Sequence, residues 1–235
     1  MDLARKKSAL IEVLLKHRSG FLPVLPFDFT DQSALVNLDF SSSNRNITTL
    51  NFSSSASLRD YIWGEMAAKG AVLGLGGYGE DRIWYRRSPH FATGEEVRSI
   101  HLGIDLWCEA GTPVSAPLGG TVHSFKDNNN FGDYGPTVII EHELEAIQFF
   151  TLYGHLSRHS IRNLRAGQSI GAGEIFAELG TAEENGDWPP HLHLQLILEI
   201  GEMAGDFPGV AAPSTAGQYL TLCPDPNILL PGPAA

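Results

Sequence analysis

The chain has 235 residues, of which 27 are acidic and 16 are Lys or Arg, for a formal net charge of −11. That balance argues against nucleic acid as a partner, since phosphate binding needs clustered cations, and it disfavours docking on anionic membranes or wall polymers. The apolar fraction of 43% is ordinary for a globular chain able to bury a core, and the length predicts one main domain with an N-terminal extension.

Residues 3–17 read as an amphipathic helix, with Leu3, Leu10, Ile11, Leu14 and Leu15 on one face. Glu12 interrupts the apolar run Ser8–Lys16, and Lys16, His17 and Arg18 close it. This is not the pattern of a signal peptide. No run is long enough to span a membrane, so the expected location is cytoplasmic, with no membrane partner. Pro23 and Pro26 break Phe21–Phe29 into extended or loop structure. Residues 32–55 carry Ser/Asn clusters, including Ser41-Ser-Ser-Asn-Arg-Asn-Ile47, and read as a linker or surface-bound segment. Ser57 to Lys69 reads as a second helix, with Ser57 at its cap, Gly70 beyond its end and Ile62, Trp63 and Met66 facing inward. Residues 1–70 are therefore assigned to a helical and extended N-terminal extension, 71–206 to the main domain and 207–235 to a Pro/Gly-rich tail.

Gly74-Leu-Gly-Gly-Tyr-Gly79 lacks the Gly-Lys-Ser/Thr ending of a phosphate loop. It reads as a turn into a strand over Arg82-Ile-Trp-Tyr-Arg86. From His101 onward the signals are almost all β, with strands expected at Thr121–Phe125, Thr137–Glu141, Ile147–Tyr153, Ile175–Leu179 and His191–Glu199. The intervening loops 127–135 and 183–190 sit beside this framework, where specificity is usually carried. Their aromatics Phe131, Tyr134 and Trp188 are candidates for the walls of a substrate groove. The tail from Phe207 is expected to be flexible, apart from Cys223–Leu230 folding back through its apolar end. Cys108 and Cys223 read as free buried thiols. His17, His90, His123, His142 and His159 have no partner motif and read as structural or solvent-facing.

Three stretches carry chemistry: His101-Leu-Gly-Ile-Asp105, Tyr153-Gly-His155-Leu156 and His191-Leu-His193. Together they supply imidazoles and a carboxylate in the proportions of a catalytic zinc site, with three protein ligands, a position for water and acid/base groups nearby. His191 and His193 are two apart in a strand-like run and so project to one face, leaving Leu192, Leu194 and Leu196 to the buried side. Gly103, midway between His101 and Asp105, lets the backbone bend so that both side chains reach one ion.

These stretches resemble the M23 peptidases, the lysostaphin-like zinc endopeptidases, from about Arg98 to Ile200. The likeness extends to Ala110-Gly-Thr-Pro-Val-Ser-Ala-Pro-Leu-Gly-Gly-Thr-Val122, Val138-Ile-Ile-Glu-His142 and Gly167-Gln-Ser-Ile-Gly-Ala-Gly173. The resemblance implies His101, Asp105 and His193 as ligands of one zinc per chain, and His155 and His191 as the two non-ligand active-site histidines. No His-Glu-x-x-His helix is present, so general acid/base work falls to those two imidazoles. It also implies a mainly antiparallel β fold similar to the duplicated hybrid motif, with two sheets forming an open groove and N-terminal helices packed outside. The expected substrate is a peptide, of cell-wall type or small and containing glycine or D-alanine. Tyr153–Leu156, Asn185-Gly-Asp-Trp-Pro-Pro-His-Leu-His193 and Cys223-Pro-Asp-Pro-Asn-Ile228 further resemble a subgroup of M23 domains that also occur fused to kinase-like and aminotransferase domains. Two other readings are a non-catalytic metal- or peptide-binding regulatory module and a lipoyl-like carrier. The carrier needs a lysine at a hairpin tip, and the stretches between its would-be halves offer only Lys126.

Overall fold

A computed structural model of the chain describes residues 2–48, 55–92 and 96–231. Residues 49–54 of the expected Ser/Asn linker, Glu95 ahead of the first motif, and tail residues 232–235 lie outside the described residues.

Helix α1 (Leu3–His17) begins at Asp2, whose carboxylate accepts the Arg5 amide, and ends at Lys16 and His17, which both reach Glu145. Leu10 and Leu14 are fully buried against Phe149, Leu196 and Leu229, with Leu3 partly buried beside them. Leu15, expected on the same face, is 52% exposed. The contacting row is the i, i+7, i+11 line, and Leu15 lies a hundred-degree step off it. The Phe21–Phe29 stretch is irregular, bending over 24–27, and well packed, with Phe21, Val24, Leu25 and Phe29 buried.

Strand β1 (Leu35–Leu38) is followed by the short α2 (Arg45–Thr48) and by α3 (Ser55–Lys69). Leu58, Ile62 and Met66 of α3 repeat every four residues and are buried, while Trp63 is half-buried at the rim and donates its indole N–H to Glu109. The glycine-rich stretch expected as a turn begins as a strand, β2 (Leu73–Gly76), parallel to β1. A Cβ on Gly74 would lie 2.7 Å from Leu38, and one on Gly76 3.0 Å from Arg82 and Phe40. These glycines are strand residues that let bulky neighbours approach the backbone. The expected strand over 82–86 is a 3-10 turn, Ile83–Arg87. Its Trp84 and Tyr85 enter an aromatic cluster with Phe40, Phe91, Trp107 and Trp188, so their β-like composition reflects burial rather than ladder pairing.

The remaining strands are β3 (Ile100–His101), β4 (Ile104–Trp107), β5 (Pro113–Ser115), β6 (Gly120–Asn128), β7 (Gly135–Leu144), β8 (Ile147–Gly154), β9 (Ser169–Ile170), β10 (Ile175–Glu178), β11 (His191–Ile197) and β12 (Val210–Ala211), with α4 (Arg158–Ile161) and α5 (Ala216–Leu222) between and after them. The fold is mainly β. One eight-stranded sheet runs β1-β2-β4-β11-β8-β7-β6-β9, antiparallel except for its β1-β2 edge, and two short ladders, β10-β5 and β12-β3, stand where a second full sheet was expected. Leu192, Leu194 and Leu196 of β11 are fully buried on the face away from the histidines, as the two-residue period requires.

The segment after Phe207, expected to be largely flexible, is ordered through residue 231. Phe207, Val210, Cys223, Leu229 and Leu230 are buried, and the Arg18 guanidinium donates to the carbonyls of Asn227 and Leu230. Apolar anchors spaced along this segment outweigh its Pro and Gly content. Cys108 and Cys223 are both free and buried. Among the described residues no helix is long and apolar enough to cross a membrane.

Candidate metal centre

The centre lies where β3, β4 and β11 meet. In the β11–β4 ladder His193 stands opposite Asp105, and β11 pairs on its other side with β8, opposite Gly154. His101 Nε2 is 3.0 Å from His193 Nδ1 and 3.3 Å from Asp105 Oδ1, and His193 Nδ1 is 3.2 Å from the same oxygen. The three residues form a group able to hold a metal ion. A tetrahedral ion with bonds of about 2.0–2.1 Å needs its ligand atoms about 3.3 Å apart, so the spacing fits with little adjustment.

Proton bookkeeping makes the fit sharper. His101 donates Nδ1–H to the Gly77 carbonyl at 3.0 Å, which leaves its Nε2 lone pair facing inward. His193 donates Nε2–H to Gln195 Oε1 at 2.9 Å, which leaves its Nδ1 lone pair facing inward. Gln195 is itself oriented, because its amide nitrogen donates to the Pro208 carbonyl and to Cys223 Sγ. Two imidazole lone pairs and a carboxylate oxygen therefore converge with no proton among them. This acceptor-only set is complementary to a cation, and its outer partners set the tautomers as in known metal sites. Burial, reinforced by the Arg82 charge, lowers the His101 pKa to about 4, so its ring is neutral at pH 7. Burial alone would raise the Asp105 pKa, but His101 and the Arg82 guanidinium outweigh it and hold the carboxyl well below the usual range.

Arg82 was not singled out from the sequence. It is fully buried, donates Nη1 to Asp105 Oδ2 at 2.5 Å, bonds Glu80 through Nε, and reaches the same Gly77 carbonyl that orients His101. It thereby occupies the second oxygen of Asp105 and leaves Oδ1 for the centre. No periodic signal marks it, since its partner lies 23 residues on and meets it only through tertiary packing. Gln195 was also missed, although it continues the 191, 193, 195 alternation on the same strand face.

Gly103 earns its place differently from the sequence expectation. A Cβ there would lie 2.6 Å from His193 Cε1. The glycine makes room for the His193 ring; among the described residues it is not one of those at positive φ.

His155 and His191 stand beside the centre. The rings lie 4.1 Å apart, and His191 stacks on Trp107 at 3.9 Å. His191 donates Nδ1–H to the Pro189 carbonyl at 2.7 Å, and His155 donates Nδ1–H to that of Asn185 at 3.0 Å. Both Nε2 lone pairs are left free, with that of His191 3.8 Å from Asp105 Oδ1. Burial lowers the His191 pKa to about 4, and burial followed by the neighbouring histidines places His155 well below the ordinary value. His155 adopts φ +64°, a conformation that costs a non-glycine residue energy and clusters at functional sites. It is held there by bonds from its amide to the Tyr134 carbonyl and from the Gly180 amide to its own carbonyl.

A cavity of about 320 Å³ opens onto these residues. Tyr134 and Trp188 both line it. The Tyr134 hydroxyl is 3.5 Å from His193 Nε2, and burial keeps its pKa well above the ordinary value. Phe131 is 47% exposed and is not among the residues lining the cavity; its carbonyl accepts the Ser88 hydroxyl. Of the other histidines, His142 is buried and bonded to the Gly119 carbonyl and to Thr151, His123 bonds Ser124, His17 bonds Glu145 and His159 is exposed. His90 reaches the cavity wall.

Residues 99–203 match the model of peptidase family M23. An uncharacterized metalloprotease of Haemophilus influenzae is 32% identical over 122 residues, covering 50% of this chain and 23% of that protein. A lipoprotein NlpD/LppB homolog of Pseudomonas aeruginosa is 35% identical over 83 residues, covering 35% of this chain and 25% of the relative. The chain thus spans about a quarter of the length of these relatives. Among solved structures, the catalytic domain of lysostaphin from Staphylococcus simulans is similar at 24% identity and a TM-score of 0.37, covering 49% of this chain and 77% of that one.

Proposed function

We propose, from the match of residues 99–203 to the model of peptidase family M23, that the chain is a zinc-dependent metallopeptidase of that family, which hydrolyses peptide bonds with a metal-activated water. The observation that carries this reading is the convergence of His101 Nε2, Asp105 Oδ1 and His193 Nδ1 with every ring N–H turned outward. In this reading those three residues hold one zinc ion. Bound there, zinc supplies Lewis acidity and lowers the pKa of a water toward neutrality.

The protein's own groups do the rest. The free Nε2 atoms of His155 and His191 take the proton from the attacking water and return it to the leaving amine. Their fixed Nδ1–H bonds to Asn185 and Pro189 keep those lone pairs aimed at the centre. Tyr134 remains a phenol at neutral pH and can donate to the oxyanion that develops beside His193. Tyr85, Trp107 and Trp188 build aromatic walls around a cavity of about 320 Å³. The family resemblance points to peptides with glycine or D-alanine at the scissile bond, of cell-wall type or small and free.

The test is the zinc content of the purified protein beside a His193→Ala control, followed by hydrolysis of glycine-rich and D-alanyl peptides. About one zinc per chain, lost in the control, together with hydrolysis, supports the reading. Absence of zinc after reconstitution overturns it and leaves a peptide-binding regulatory module in its place. Zinc without hydrolysis of any peptide makes the centre a binding site rather than a catalytic one.

A further inference from the structure

Carboxylates outnumber Lys and Arg in this chain by 27 to 16, so an arginine without an acidic partner is unexpected, above all in a cavity wall. Arg98 is one. It lines the cavity that opens onto the metal centre, and among the described residues it makes no ion pair. Its guanidinium lies over the Phe91 ring at 5.4 Å from the centroid, and Nη2 donates to the His90 carbonyl at 2.5 Å. Its Nε is buried with no hydrogen-bond partner.

The acidic residues of the same cavity are otherwise engaged. Asp105 belongs to the metal centre and to Arg82. Asp133 accepts the Tyr134 amide at 2.8 Å and the Asn130 amide nitrogen at 3.0 Å, with His90 3.7 Å away. Asp206 pairs with Lys126 at 3.4 Å. Among the described residues Arg98 is thus a stacked, backbone-tethered guanidinium whose one side-chain hydrogen bond is that of Nη2 to the His90 carbonyl. An arginine fork held in this way matches a planar carboxylate and has already lost much of the side-chain freedom that binding would cost.

We propose that Arg98 is the carboxylate-binding residue of the substrate cavity, and that the substrate is a short peptide whose free carboxylate is held there while its peptide bond lies at the metal centre. The proposal rests on reading the cavity as the substrate site. The carboxylate has two possible sources, the α-carboxylate of a C-terminus or an acidic side chain. The first makes the enzyme act near chain ends, and the second makes it select acidic residues.

Three probes separate these cases: triglycine, triglycinamide and acetyl-glycyl-glutamyl-glycinamide. Binding to the zinc-loaded full chain is followed through the fluorescence of the cavity tryptophans, and chromatography reports whether each peptide is cut. Triglycine should bind at least about tenfold more tightly than its amide, the range expected for a charge-assisted hydrogen bond. Arg98→Gln should abolish that preference and Arg98→Lys should keep part of it, with unfolding midpoints checking that both variants fold. A preference for the glutamyl peptide assigns the side-chain source. Equal binding of all three, no binding, or a preference that survives in Arg98→Gln overturns the proposal. Preferential binding without cleavage leaves the Arg98 assignment standing and counts against the peptidase reading, whereas cleavage without acid-over-amide preference does the reverse.

Discussion

The two halves of the centre are built by different means. The half proposed to hold the metal, His101, Asp105 and His193, is positioned by paired strands, and its outer partners are Gly77, Arg82 and Gln195. The half proposed to handle protons, His155 and His191, is oriented by two carbonyls of one loop, Asn185 and Pro189. One half is a rigid ladder with a buried ion pair behind it; the other depends on a loop keeping its shape. Substitutions should therefore separate metal retention from catalysis.

The largest effect is expected from Asp105→Ala. It removes one of the three converging atoms and also leaves Arg82, which is fully buried, with Glu80 as its remaining carboxylate partner among the described residues. Breaking one arm of a buried ion pair costs about 3–5 kcal/mol, so this variant should lose zinc, lose activity and unfold at lower urea. Zinc analysis and a urea titration check both parts; a variant that kept its metal would remove Asp105 from the ligand set.

Next come His155→Ala and His191→Ala. Neither ring contributes one of the three converging atoms, so both variants should retain about one zinc per chain. Activity should fall by about a hundredfold or more, the usual scale for a lost general acid or base. Metal loss in either would erase the distinction between the two halves.

Gln195→Leu probes how strongly the metal half relies on its outer partners. It leaves the His193 N–H only the more distant Tyr134 hydroxyl, at 3.5 Å, and frees the ring to change tautomer, so zinc affinity should drop by about 10–100-fold while the strand stays in place. A competition titration against a chromophoric chelator measures it. An unchanged affinity would mean that the ladder alone orients His193.

How much of this was legible in the sequence follows the same division. The His191/His193 pair could be read because a strand has a fixed two-residue period, and β11 obeys it through Gln195. His101 and Asp105 were legible by spacing, but the reason for Gly103 was not, because its constraint is the ring of a residue 90 positions away. Arg82, Glu80 and the Gly77 carbonyl reach the site on a chain reversal after β2, and neither composition nor period announces where such a reversal points. The Ile83–Arg87 turn was misread for a related reason: Trp84 and Tyr85 satisfy an aromatic cluster, and aromatic enrichment alone does not distinguish that from a strand. The ordered tail after Phe207 was hidden because buried anchors spaced several residues apart mimic an irregular segment.

The smallest effect should come from Asn185→Ala, which tests the loop half without touching an imidazole. The Asn185 side chain caps the loop by accepting the Trp188 amide at 3.0 Å, while its backbone carbonyl holds His155. Gly186, at φ +83°, continues the turn, and its carbonyl accepts the Gly132 amide. Deleting the cap removes one hydrogen bond, about 1 kcal/mol, and loosens the carbonyl behind His155 without displacing any metal ligand. Zinc content should be unchanged and kcat should fall by about tenfold or less, in keeping with an orienting rather than a chemical role. The discriminating comparison is with Gln195→Leu. If Asn185→Ala lowers kcat at constant zinc affinity, and Gln195→Leu lowers zinc affinity first, the two halves are energetically separate. If both variants lose metal in parallel, the loop and the ladder act as one unit, and the stacked Trp107–His191 pair between them is the natural route for that coupling.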